Sequence, residues 1–233
     1  MLALDDVSFT VAAGQTLAVV GPSGCGKTTL LELICGLQVP DAGSVQLQPA
    51  ALMPQRDLLL PWLCAIDNAC LALRVAGVPQ DAARTVAAPW FERLGLHGFE
   101  QARVSELSGG MRQRVSFLRT LLAGKPVLAL DEPFAALDAL TRAEAQGWLA
   151  EALAHSGEAP GGMAGAGGRR TVVLVTHDVE EAVLLGDRVA VMSPRPGRVV
   201  ESLAVDLPRP RVRTDPAVVE LRARVMEVLH AAS

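Results

Sequence analysis

The sequence predicts an α/β domain built on a mainly parallel β-sheet, and three observations carry that expectation. Short apolar runs at Leu17–Val20, Ala50–Met53, Val127–Leu130, Thr171–Val175 and Arg188–Met192 have the continuous character of buried strands. Stretches of helical periodicity separate them. The composition also supplies one sizeable core, since 50% of the 233 residues are hydrophobic and the mean hydropathy is +0.31. A chain this apolar offsets its conformational entropy by burial, which excludes disorder as its main state. None of its apolar runs approaches the roughly 20 residues a bilayer-spanning helix needs. No charged-then-apolar leader opens the chain, so secretion is not expected. A net charge of -4 and a pI near 5.6 argue against a nucleic-acid partner bound through its phosphates. Cys25, Cys35, Cys64 and Cys70 lack metal-ligand spacing and are expected to be reduced thiols.

The elements follow in order. Val7–Val11 is expected to be a small N-terminal β part with Phe9 in a core. After Leu17–Val20, the stretch Lys27–Gly36 carries Leu30, Leu33, Ile34 and Leu37 at helical spacing, and Gly36 closes it. Between Pro61 and Gly124 only helices fit: Ile66–Val75, Ala82–Leu94 and Gly109–Ala123. A helical subdomain over about 61–124 is therefore inserted between two parts of one sheet. Gly157–Gly168 is Gly- and Ala-rich without periodicity, which predicts a loop. Asp215-Pro216 has the residue types of an N-cap and first helical position, and Val218, Leu221, Val225, Val228 and Leu229 share one face. Residues 1–205 are thus expected to form one domain and 206–233 a short helical tail.

Gly21-Pro22-Ser23-Gly24-Cys25-Gly26-Lys27-Thr28 matches the P-loop pattern G-x-x-x-x-G-K-[ST], with a strand before it and a helix after it. The glycines let successive N–H groups point inward at phosphate oxygens. The helix N-terminus adds roughly 0.3–1 kcal/mol per favourable charge. Lys27, one of only two lysines beside Lys125, is placed to sit between β- and γ-phosphates, and the Thr28 hydroxyl to ligate Mg²⁺. These residues predict bound ATP with Mg²⁺.

Val127-Leu128-Ala129-Leu130-Asp131-Glu132-Pro133 is an apolar strand ending in two carboxylates, the Walker B pattern. Asp131 is expected to hold the Mg²⁺ shell. Alternation along a strand predicts that Glu132 points to the other side, free to polarise a water for attack on the γ-phosphate. The fold class is then α/β: a P-loop NTPase (RecA-like) core with an inserted helical subdomain and a small N-terminal β part.

Leu107-Ser108-Gly109-Gly110-Met111 opens a helix just before Walker B. Here the sequence resembles the ATP-binding-cassette (ABC) family, matching its LSGGQ signature except at Met111. Ser108, Gly109 and Gly110 present a hydroxyl, backbone N–H groups and a helix N-terminus, a second anion-binding surface. One subunit cannot place both surfaces on the same nucleotide, which implies a head-to-tail homodimer with ATP between them.

The resemblance covers about residues 3–205 and implies further roles. Thr29 completes the phosphate loop. Gln55 matches the Q-loop glutamine that touches Mg²⁺. Ala136-Leu137-Asp138 matches the D-loop, acting in trans. His177 matches the switch histidine, which contacts the γ-phosphate and the catalytic glutamate. Family members place an aromatic residue upstream of the first strand to stack on adenine; the resemblance implies either that this residue precedes Met1 or that other contacts hold the base.

The segment from Met53 to Trp62 looks like the importer group for nitrate, sulfonates, taurine and vitamin precursors. The resemblance implies an ATPase on the cytoplasmic face of the inner membrane, peripheral, bound to a separate permease and served indirectly by a substrate-binding protein. The apolar Leu58–Trp62 stretch reads either as a pocket for that permease or as ordinary subdomain core. The rival functions are an exporter or release cassette and a soluble, non-transport ABC ATPase; a P-loop kinase does not fit the signature.

Overall fold

The computed structural model describes residues 1–46, 48–135, 137, 139–154 and 170–232. The expectations for Asp138 and Gly157–Gly168 lie outside the described residues.

The apolar runs marked in the sequence become β1 (Thr16–Val20), β2 (Ala50–Met53), β3 (Val127–Asp131), β4 (Thr171–Thr176) and β5 (Arg188–Met192). With β6 (Val199–Ala204) they form one 6-stranded sheet in the order β2-β3-β4-β1-β5-β6. All pairings are parallel except β5 with β6. Strand β6 sits at the edge and is only partly buried, so it lacks the apolar run that reveals its neighbours. The helices are α1 (Lys27–Ile34), α2 (Ala65–Ala69), α3 (Leu71–Val75), α4 (Gln80–Arg93), α5 (Gly109–Leu122), α6 (Ala139–Ala154), α7 (Val179–Leu185) and α8 (Pro216–Ala231).

Strand alternation divides the core. Leu17 and Val19 of β1 pack with Leu30 and Leu31 of α1 on one face. Ala18 and Val20 pack on the other face with Val179 and Val183 of α7 and Val218 and Val225 of α8. A third cluster runs from Leu128 and Leu130 through Met53 into the helical subdomain at Leu118 and Phe91. The subdomain therefore shares its core with the sheet.

Helix α1 stops where Gly36 adopts φ 68°, with Gly36 N–H on Leu33 O at 3.1 Å and Leu37 N–H on Glu32 O at 2.9 Å. That pair of bonds caps the last turn and leaves Leu37 outside it, 65% exposed. The stretch Ile66–Val75 is two short helices, α2 and α3, meeting at Cys70.

The expected strand at Val7–Val11 does not form. The chain turns at Asp6 (φ 50°), Val7 and Val11 still reach the α1 side of the core, and Phe9 is 36% exposed instead of buried. An extended segment without a neighbouring strand gains no ladder bonds, so its pattern alone does not make it β.

Asp215 caps α8 by accepting the Ala217 N–H at 2.9 Å, as its residue type predicts. Ahead of it, Arg211 ties this segment to α7 and to the residue that follows β6. Its side chain is 2% exposed and donates to the carbonyls of Val183, Gly186 and Val205, among others. Burial pushes the guanidinium down to about 10. Arg211→Ala leaves several buried carbonyls unpaired and is expected to lower the unfolding free energy by about 3 kcal/mol. Urea denaturation checks it; a loss under about 1 kcal/mol would contradict the tie.

Candidate active site

Parallel pairing carries the ends of β1, β3 and β4 to one edge of the sheet. Asp131 lies beside Val175, and Val20 lies beside Thr176. The loop Gly21–Gly26 leaves β1 there and enters α1. Gly26 sits at φ 102°, a conformation that costs other residues strain. A Cβ on it would lie 2.6 Å from Leu4 and 2.9 Å from the Ala3 carbonyl. A second close approach comes from the neighbouring segment: a Cβ on Gly197 would lie 2.0 Å from the Cys25 carbonyl. Ala3 and Gly197 are themselves joined, Gly197 N–H donating to Ala3 O at 2.9 Å. Two remote segments thus press on the phosphate loop from outside.

Inside the loop, Lys27 is 7% exposed and donates to Gly21 O at 2.8 Å and Pro22 O at 2.9 Å. Cys25 is buried beneath it, its Sγ 3.8 Å from the ammonium. The Thr28 hydroxyl donates to Asp131 Oδ2 at 2.8 Å. Burial pushes the Asp131 carboxyl above the usual range, and the Thr28 hydrogen bond opposes that. A buried carboxylate beside a hydroxyl is a hard oxygen donor set, and it suits Mg²⁺ shared with phosphate oxygens.

Glu132 corrects the sequence reading. It lies one residue past β3 at φ 47°, so strand alternation no longer governs it. Its N–H donates to Val175 O at 2.8 Å, and its side chain enters the same cleft as Asp131 rather than the opposite side. Left-handed backbone at a non-glycine residue is strain of the kind stored at functional sites. Gln55 Nε2 donates to Glu132 Oε2 at 3.0 Å, and His177 Nδ1 lies 3.3 Å from Glu132 Oε1. The carboxylate is bracketed from two sides.

Ser23, Gly24, Gly26, Lys27, Thr28 and Thr29 line one cleft of about 420 Å³ with Gln55, Asp131 and Glu132. Ala3 and Arg195 complete the wall, and sequence reading missed both. Neither carries a local motif; the bridge between Leu4 and Gly197 delivers them. Gly21, Pro22 and Cys25 lie behind the cleft as its backing.

Ser108, Gly109 and Gly110 are not in this cleft. They open α5, where Ser108 Oγ accepts the Met111 N–H at 3.2 Å. Met111 packs against the subdomain core, which suits an apolar residue there. Helix α5 also reaches back to the segment after Gln55. Arg112 Nε meets Asp57 Oδ2 at 3.1 Å, and Arg119 donates to Asp57 O at 2.7 Å and Leu58 O at 2.9 Å. The Leu58–Trp62 stretch divides: Leu59 is core at 7% exposure, whereas Leu58 (59%) and Trp62 (76%) face outward. Asn68, fully buried, holds this loop by accepting the Leu60 N–H and donating to the carbonyls of Leu60, Leu63 and Cys64.

The family model for the ABC transporter matches residues 4–135, more than half of the chain. The chain belongs to the ABC transporter ATP-binding family. It is 39% identical over 96% of its length to the taurine import ATP-binding protein TauB of Yersinia pestis, covering 90% of that protein. The Burkholderia pseudomallei TauB is 38% identical, with 98% and 90% covered. An uncharacterized ABC transporter ATP-binding protein of Methanocaldococcus jannaschii is 40% identical, with 97% and 84% covered. Among solved structures, a dimeric ATP-binding cassette in a post-hydrolysis state with ADP and Pi superposes with a TM-score of 0.73 at 25% identity, over 88% of this chain and 91% of that one. The ABC subunit described here binds nucleotide and is an ATPase. Among its described residues no helix is long and apolar enough to cross a membrane.

Gly197→Ala tests the packing behind the phosphate loop. A methyl group placed 2.0 Å from the Cys25 carbonyl must displace backbone, either in the loop or in the 193–197 turn. ATP affinity measured by calorimetry is expected to fall at least about tenfold, roughly 1.4 kcal/mol. Wild-type affinity would mean that the turn yields freely.

Proposed function

We propose that this chain energises solute uptake: Lys27, Thr28 and Asp131 hold ATP and Mg²⁺, and Glu132 activates the water that cleaves the γ-phosphate. The observation that carries the reading is the Glu132 carboxylate, bracketed by Gln55 and His177 at one end of the phosphate-loop cleft. Bound Mg²⁺ supplies charge neutralisation of the phosphate oxygens. Lys27 moves its ammonium from two loop carbonyls onto phosphate oxygens, a change of partner with no net loss of hydrogen bonds. Thr28, Asp131 and Gln55 would hold the metal. Glu132, fixed by its backbone bond to Val175, accepts the proton of the attacking water. His177 orients that carboxylate and meets the γ-phosphate.

Ser108, Gly109 and Gly110 act on the nucleotide of a second copy, in a head-to-tail homodimer, together with Asp138. Support comes from their absence from the lining of the chain's own cleft and from the dimeric state of the similar cassette. The partner of the exposed Leu58 and Trp62 is a membrane permease, fed by a substrate-binding protein. Both side chains stand on a loop whose backbone is braced by α5 and which begins at Gln55, so loss of the γ-phosphate is felt at the docking face. The full-length TauB likeness supports import, with a taurine- or sulfonate-type solute chosen by the permease and binding protein. The ATPase works peripherally at the cytoplasmic face.

Glu132→Gln keeps the shape but cannot take the proton. Steady-state hydrolysis is expected to fall by about 10²–10⁴ while ATP still binds; activity within threefold of wild type would remove Glu132 from the role. Ser108→Arg places bulk and charge where the second copy's γ-phosphate lies. In the Glu132→Gln background it is expected to abolish ATP-driven dimerisation, read by light scattering, while each monomer still binds ATP. A persisting dimer would refute the sandwich.

A further inference from the structure

His177 stands on a turn between β4 and α7 with its side chain 61% exposed. An exposed imidazole has rotamer freedom, and its 3.3 Å approach to Glu132 requires that the turn be held by something else. The residues on both sides of His177 are held. Thr176, 2% exposed, donates its hydroxyl to Glu181 Oε2 at 2.5 Å. The same hydroxyl oxygen accepts the Asp178 N–H at 3.0 Å. Asp178 Oδ1 then accepts the N–H groups of Glu180 at 2.9 Å and Glu181 at 3.2 Å. Thr176, Asp178 and Glu181 thus close a ring of hydrogen bonds around the peptide of His177.

Glu181 is an expensive member of that ring. It is 4% exposed, and its Oε1 has no hydrogen-bond partner among the described residues. Burial pushes its carboxyl up to about 7, against the opposing effect of the Thr176 bond. A buried carboxyl with an unpaired oxygen costs stability, and capping does not explain it, because Asp178 already caps α7. Arg142 of α6 extends the ring: it donates to Leu137 O at 3.0 Å and lies 3.8 Å from Asp178 Oδ2. The turn of His177 is thereby tied to the segment that follows Glu132.

We propose that Glu181 is a positioning residue for ATP hydrolysis, which acts through the Thr176 hydroxyl to fix the peptide of His177 and so aim the imidazole at Glu132. The inference rests on the reading of Glu132 and His177 as the hydrolytic pair. Glu181 is buried and does not line the cleft; its effect is on kcat and not on nucleotide affinity.

The test is made at Thr176, where two substitutions separate the hydroxyl from the packing. Thr176→Val keeps the volume and loses the hydroxyl; Thr176→Ser keeps the hydroxyl and loses a methyl group. Steady-state ATPase of the full chain is measured with thermal melting alongside. Thr176→Val is expected to lower kcat about tenfold or more with KM for ATP within twofold, and Thr176→Ser to stay within about threefold of wild type. Glu181→Gln, whose amide oxygen still accepts from Thr176, is expected to retain most of kcat, whereas Glu181→Ala loses it. The reverse order, with Thr176→Ser worse than Thr176→Val, would assign the site to packing and overturn the proposal. His177→Ala tells the two readings apart. If it is impaired while Thr176→Val matches wild type, the positioning role alone fails; if it hydrolyses ATP like wild type, the hydrolytic pair fails and the positioning role with it.

Discussion

Parallel register among three central strands is the constraint on which the rest of this molecule depends. β1, β3 and β4 run side by side in one direction, so their carboxyl ends share one edge of the sheet. From that edge come the phosphate loop, the carboxylates Asp131 and Glu132, and the turn bearing His177, three segments drawn from distant parts of the chain. A slip of one residue in the β3–β4 ladder would turn Asp131 into the opposite face and carry the Val175 carbonyl away from Glu132. The burial of both faces prevents that slip, because alternate residues of each strand are claimed by different clusters.

The site stores its charges in pairs that already anticipate a ligand. Lys27 is buried against two carbonyls of its own loop, and Asp131 is buried against the Thr28 hydroxyl. Each group is satisfied by partners within the protein, which fixes the shape of the loop; on the function proposed above, each would exchange one of those partners for a phosphate oxygen or the metal. Glu132 differs. Its backbone is strained, and its carboxylate is held by an amide and an imidazole that belong to two other loops. Movement of either loop changes the environment of the same carboxylate, and on the mechanism proposed above this couples hydrolysis to the position of both loops.

The route outward from that point is continuous packing. Gln55 leads directly to Asp57 and Leu58, which Arg112 and Arg119 tie to α5. Ser108 caps α5, so the segment proposed to sense a chain's own nucleotide and the surface proposed to meet the partner's nucleotide lie on one braced unit. Its core is shared with β2 and β3. A rigid connection of this kind transmits displacement over its whole length, because close-packed interiors deform little.

The sequence by itself determined the parts of this protein whose signals are local. The phosphate loop, the two Walker B carboxylates, the signature cap at Ser108 and the buried strands each show in a few consecutive residues, since turn chemistry, capping and two-sided burial are properties of short segments. Tertiary structure alone decided which side chains face where once a segment leaves regular geometry. Glu132 passes beyond β3 into left-handed backbone and joins Asp131 in one cleft, which alternation could not foresee. Leu59 is buried while Leu58 and Trp62 are exposed, Phe9 is exposed while Val7 and Val11 pack, and Ala3 and Arg195 reach the cleft only because Leu4 pairs with Gly197. The physical reason is common to all of these: exposure and contact are set by the element packed opposite, and in this fold that element comes from a distant part of the chain.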